Sequence, residues 1–157
     1  MIRTLIVEDE QKSRDMLAGI IEKNCPELHV IGLAKNVTGG VAMITELKPD
    51  LVFLDITMPD GSGFDLLEQV SGQKFELIFA TASDQHAIKA IKFSACDYLL
   101  KPIDIDELKT AVTKVVKKKN LEPNMANLQF LIQHLKRADE NYQKITLPTG
   151  NAYEIVN

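Results

Sequence analysis

Short apolar runs alternate with stretches of helical period from residue 2 to about residue 116, and this alternation limits the possible folds more than any other feature of the chain. The runs are Ile2 to Val7, His29 to Ala34, Leu51 to Leu54, Leu77 to Ala80 and Tyr98 to Leu100. Continuous branched and aromatic residues over such lengths read as strands buried on both faces. The first helix is expected from about Gln11 to Asn24, with Met16, Leu17, Ile20 and Ile21 on one face. The second starts at Asn36 to Thr38, carries Val41, Ile44 and Leu47, and is stopped by Pro49. Phe64, Leu67 and Val70 mark the third, and Ala87, Ile88 and Ile91 the fourth. The fifth runs from Ile105 to Val116 with Leu108, Val112 and Val115 inward. Strict strand–helix alternation implies a parallel sheet covered on both sides. Five such units predict an α/β, flavodoxin-like doubly wound sheet in the order 2-1-3-4-5.

Beyond this unit the pattern changes. Lys117, Lys118 and Lys119 close the last helix, where cations complement the helix dipole. Met125, Leu128, Ile132 and Leu135 form a heptad-like stripe that suits either a dimer seam or packing on the preceding domain. Lys144 to Leu147 and Tyr153 to Val156 flank a turn signal, Pro148 to Asn151, and suggest a hairpin. The expected organisation is a first domain over 1–121, a helical linker over 122–143 and a short β extension over 144–157 that begins a second domain.

Composition removes several classes of function. The formal net charge is −4, which argues against nucleic-acid binding by these residues. No apolar stretch is long enough to span a membrane, and the start of the chain lacks a signal-peptide pattern. Cys25 and Cys96 have no metal-ligand spacing and are expected to be free thiols in a reducing cytoplasm.

The chemistry gathers at strand ends. In a doubly wound sheet, ligands bind outside the carboxyl ends of the strands. Glu8 and Asp9 follow the first strand and Asp55 ends the third, its neighbour in the predicted order. Three converging carboxylates repel one another unless they hold a cation or share a proton. An oxygen-only set suits Mg²⁺ and leaves open positions for phosphate oxygens. Thr81 ends the fourth strand between the small Ala80 and Ala82, and its hydroxyl can donate to an oxyanion. Lys101 follows the fifth strand, before Pro102, where the peptide is expected to be cis. Its ammonium can neutralise a phosphoryl group or pair with Asp55.

Glu8-Asp9, Asp55, Thr81 and Lys101-Pro102, in this order and on this scaffold, resemble the receiver domain of two-component response regulators. Met58-Pro59-Asp60-Gly61 and Asp97-Tyr98-Leu99-Leu100-Lys101-Pro102 strengthen the resemblance, which covers roughly residues 1 to 120. It implies that Asp55 is the phospho-acceptor, receiving its phosphoryl group from a sensor histidine kinase. It implies a Mg²⁺ held by Asp9, Asp55 and the carbonyl of Thr57, with Glu8 acting through water. Thr81 would be the switch hydroxyl and Lys101 the phosphoryl-binding ammonium. Tyr98 would turn inward as Thr81 moves, and the face spanning residues 84–116 would then form a homodimer. A receiver of this kind acts only on its own aspartyl phosphate and is not an enzyme in the ordinary sense. Ala87 to Phe93, together with Lys144 to Gly150, resemble regulators with a LytTR-type output domain, which would bind DNA only when complete. Too few residues follow Lys144 for such a domain, so either the chain is truncated or its end has another role.

Two other classes of function fit these residues less well. A Mg²⁺-dependent phosphatase with an Asp nucleophile would carry a second Asp two residues on, where this chain has Thr57. A module that keeps the scaffold only for protein contacts has no need of the acidic pair or of Lys101.

Overall fold

Leu51, Val52, Phe53 and Leu54 are all fully buried, as an apolar run at the centre of a parallel sheet must be. In the computed structural model, which describes residues 1–120, they form β3 of a five-stranded sheet. The other strands are β1 (Ile2–Val7), β2 (Leu28–Ala34), β4 (Glu76–Thr81) and β5 (Asp97–Leu100). Every pairing is parallel and the order is β2-β1-β3-β4-β5, the predicted topology. Residues Met1–Lys117 make one compact unit. The expected linker over 122–143, its Met125–Leu135 stripe and the β extension over 144–157 lie outside the described residues.

Alternate strand residues feed two separate cores. Leu5, Val7, Val52, Leu54 and Phe79 face α2 (Val37–Leu47), α3 (Gly63–Gln69) and α4 (Ala87–Lys92). Ile6, Leu51, Phe53 and Ile78 face α1 (Gln11–Asn24) and α5, over 105–120. Helix starts follow local chemistry. Asn36 caps α2 by accepting the Gly39 N–H at 2.7 Å. Ser62 and Asp65 form a reciprocal capping box on α3. Gly40 lets α2 lie close on the sheet: a Cβ there would sit 2.5 Å from Leu66 Cδ1 and 3.2 Å from Val7 Cγ1.

Some apolar positions do not face the core as their spacing suggested. Leu17 and Ile21 are buried in α1, but Met16 is 61% exposed. In α4 only Ala90 is buried, while Ile88 and Ile91 stand 78% and 74% exposed. Both isoleucines lie on the face of the helix turned away from Ala90, and spacing alone does not say which face another element covers. The Lys101–Pro102 peptide is cis, and Cys25 and Cys96 are not joined in a disulfide, both as expected.

Candidate functional site

The strand register decides which side chains meet. Val7 pairs with Leu54, so the next residues, Glu8 and Asp55, emerge side by side at the carboxyl edge. The Asp55 N–H donates to the Val7 carbonyl at 3.0 Å and locks this alignment. Thr81 pairs with Leu100, and the Lys101 N–H donates to the Thr81 carbonyl at 2.9 Å. Lys101 therefore leaves the sheet two strands away from Asp55, beyond β4, and reaches back across the edge.

Glu8 and Asp55 are buried, and Asp9 is exposed. One oxygen from each lies within 4.8 Å of the other two. The Lys101 ammonium donates to Asp55 Oδ2 at 3.1 Å and to Glu8 Oε1 at closer range. Asp55 Oδ1 accepts the Ile56 N–H at 2.6 Å, and Glu8 Oε2 accepts the Glu10 N–H at 3.0 Å. Burial pushes the Glu8 carboxyl up to about 7, against the pull of Lys101. Burial alone would depress the Lys101 ammonium, but its bond to Glu8 and the charge of Asp55 hold it above the ordinary lysine value. Lys101 thus keeps its proton through the neutral range, and Glu8 is the member of the pair that titrates there.

The remaining predicted residues surround this cluster. Thr57 is exposed and opens a small hairpin in which it pairs with Ser62 and Met58 pairs with Gly61. Thr81 is buried at the end of β4, with its hydroxyl oxygen 3.4 Å from the Ser83 N–H. The Tyr98 ring is half-buried with its centroid 5.8 Å from that of Phe79, and its hydroxyl donates to the Ser83 carbonyl. Burial raises the Tyr98 hydroxyl above its usual pKa and keeps it a donor.

Several contributing residues carried no legible signal in the sequence. Arg14 donates to the Glu8 carbonyl at 2.8 Å and the Asp9 carbonyl at 3.4 Å, steadying the acidic loop from α1. Its position on the same helical turn as Met16 gave no hint that it faces the loop. Gly63 is needed because a Cβ there would lie 2.5 Å from the Asp55 carbonyl oxygen. Ser83 serves Tyr98 through its backbone, which no side-chain pattern can reveal.

The donors at this edge are all oxygen, they are close enough to share one ion, and the exposed Asp9 opens one side to solvent. That set fits a hard divalent cation such as Mg²⁺.

Comparison with known proteins agrees with this geometry. The chain is 40% identical over 118 residues to an uncharacterized response regulatory protein of Vibrio cholerae, covering 74% of this chain and 49% of that one. It is 34% identical over 161 residues to the sensory transduction protein LytT of Bacillus anthracis, covering the whole of this chain and 63% of that one. The chain thus spans about half to two thirds of the length of these curated relatives. Among solved structures, the REC domain of AraT, a response regulator from Geobacillus stearothermophilus, matches with a TM-score of 0.71 and 28% identity, covering 78% of this chain and 98% of that one. The family model for the response regulator receiver domain matches residues 4–113, which take in all of the sheet except the first two residues of β1 and include every group at its carboxyl edge, and the chain belongs to that family.

Proposed function

We propose that this chain is the phosphorylation-controlled input of a two-component regulator, with Asp55 as phospho-acceptor and a sensor histidine kinase as donor. The observation that carries the proposal is the Lys101 ammonium bridging Glu8 and Asp55 within a cluster of three carboxylates. A buried arrangement of that kind is costly for stability alone and suits a site where a phosphoryl group arrives.

In the proposed reaction an Asp55 carboxylate oxygen attacks phosphorus, and the bond from phosphorus to the donor nitrogen breaks as the imidazole leaves. Asp55 is held for this by the Ile56 N–H on one oxygen, leaving Oδ2 beside Lys101. Lys101 follows the phosphoryl oxygens and offsets their charge. Glu8, Asp9, Asp55 and the Thr57 carbonyl are the residues to hold Mg²⁺, which when bound supplies positive charge for those oxygens. The small Ala82 beside Thr81 leaves room for the water that later hydrolyses the aspartyl phosphate. The chain therefore acts on itself and turns over no separate substrate.

The added phosphoryl charge draws the Thr81 hydroxyl, which shares the loop after β4 with the Ser83 carbonyl that receives Tyr98. That loop leads into α4, where Ile88 and Ile91 are exposed, and Leu100 and Ile105 are each 42% exposed on the following elements. An apolar surface over residues 84–116 supports a symmetric homodimer as the output of the switch. The likeness to the sensory transduction protein LytT runs the whole of this chain; we read the chain as part of a cytoplasmic regulator of transcription, with a receiver over 1–121, a linker over 122–143 and a LytTR-type DNA-binding domain beginning at 144. Among the described residues no helix is long and apolar enough to cross a membrane.

The test is the mass of the intact protein after incubation with Mg²⁺ and acetyl phosphate. A single phosphate is expected on the wild type and none on Asp55→Asn. An equal adduct on the variant would overturn the assignment.

A further inference from the structure

Asp60 sits at the tip of the hairpin that follows the phospho-acceptor, and its carboxylate is spent on a different element. Oδ1 accepts the Val37 N–H at 2.8 Å. Oδ2 accepts the Thr38 N–H at 3.0 Å and the Thr38 hydroxyl at 2.9 Å. These are first-turn groups of α2, more than twenty residues earlier in the chain. A carboxylate is favoured there by the unpaired amides and by the helix dipole. The amides of Thr38 and Val37 hold the Asp60 carboxyl below the ordinary aspartate range.

Asn36 already caps α2 through the Gly39 N–H, so Asp60 is not required to start the helix. What Asp60 adds is a tether. The base of the hairpin is fixed by Asp55 to β1, and by the Gly63 N–H donating to the Ile56 carbonyl at 2.7 Å. Its far end is fixed by Asp60 and by the buried Met58. Thr57 stands between these two anchors, exposed and next to the acidic cluster.

We infer that Asp60 is a positioning residue for the cation site: by tying the hairpin tip to the amino end of α2, it presets the backbone of Thr57 beside Asp55. The inference rests on the Mg²⁺-dependent reading of Asp55 given above. A ligand that must be ordered at the moment of binding weakens affinity, and supporting contacts of this kind are worth about 10-fold or more in metal binding.

The experiment is a calorimetric titration of the full chain with MgCl₂, comparing Asp60→Ala with Asn36→Ala. Both remove a contact at the amino end of α2, but only the first frees the hairpin. Asp60→Ala is expected to bind Mg²⁺ about 10-fold more weakly than the wild type, and Asn36→Ala nearly as well as the wild type. Asp60→Asn keeps an acceptor oxygen and should recover part of the loss; it also serves if Asp60→Ala folds poorly. Equal Mg²⁺ affinity in the Asp60 variants and Asn36→Ala would overturn the inference while leaving the reading of Asp55 intact. A wild-type chain that takes no Mg²⁺ would overturn both.

Discussion

Replacing Lys101 with methionine keeps much of the aliphatic stem and removes the charge between Glu8 and Asp55. At 3.1 Å and an effective dielectric near 20, the Lys101–Asp55 attraction alone is about 5 kcal/mol before desolvation is subtracted. Removing one partner of a buried pair typically costs about 3–5 kcal/mol. The Lys101 side chain is 22% exposed, so we take the cost as about 2–3 kcal/mol. For a unit of this size that is a fall in Tm of roughly 10 °C. The loss should depend on pH. Glu8 rises from 4.5 unfolded to about 7 folded, so the folded protein binds more protons between those values. The contribution of Glu8 to stability is therefore greatest below pH 4.5 and is lost as pH rises through 7. Without Lys101 the folded value climbs further and the fall extends to higher pH. At pH 5.5 Glu8 is largely neutral in both proteins, and the variant should lose chiefly the attraction between Lys101 and Asp55. At pH 8 the full cost should appear, and Mg²⁺ should recover part of it by replacing the missing charge. Thermal denaturation at both pH values, with Mg²⁺ or with EDTA, gives the answer. An equal loss at pH 5.5 and 8, unmoved by Mg²⁺, would refute the electrostatic account and point to lost packing of the lysine stem.

Gly40→Ala forces a methyl against Leu66 and Val7, and should destabilise by about 1–2 kcal/mol in chemical denaturation despite the better helix propensity of alanine. Ile88→Ser with Ile91→Ser should leave Tm nearly unchanged, since both side chains are mostly exposed, yet abolish phosphodonor-dependent dimerisation in size-exclusion chromatography. Tyr98→Phe removes the bond to the Ser83 carbonyl and should cost about 1 kcal/mol. It should leave phosphate uptake on Asp55 intact while weakening the dimer that follows, as read by intact mass and chromatography in parallel.

The order and type of the elements were legible in the sequence because they depend on neighbours along the chain. Leu51 to Leu54 could only be a strand buried on both faces, and it is. Asn36 announced a helix and caps it. Once the 2-1-3-4-5 order followed from the alternation, Glu8, Asp9, Asp55, Thr81 and Lys101 had to gather at one edge, because parallel strands deliver their carboxyl ends together. Other features depended on what lies across space. Helical spacing put Met16, Ile88 and Ile91 among the apolar positions that define a face, but spacing does not say whether another element covers them, and none among the described residues does. The bridging of Glu8 and Asp55 by Lys101, the steadying of the acidic loop by Arg14 and the tether from Asp60 to α2 are contacts between distant segments. Periodicity determines which residues share a face. Only the packed structure brings that face to its partner, and here it also buries the Glu8 carboxyl and so pushes it toward neutrality.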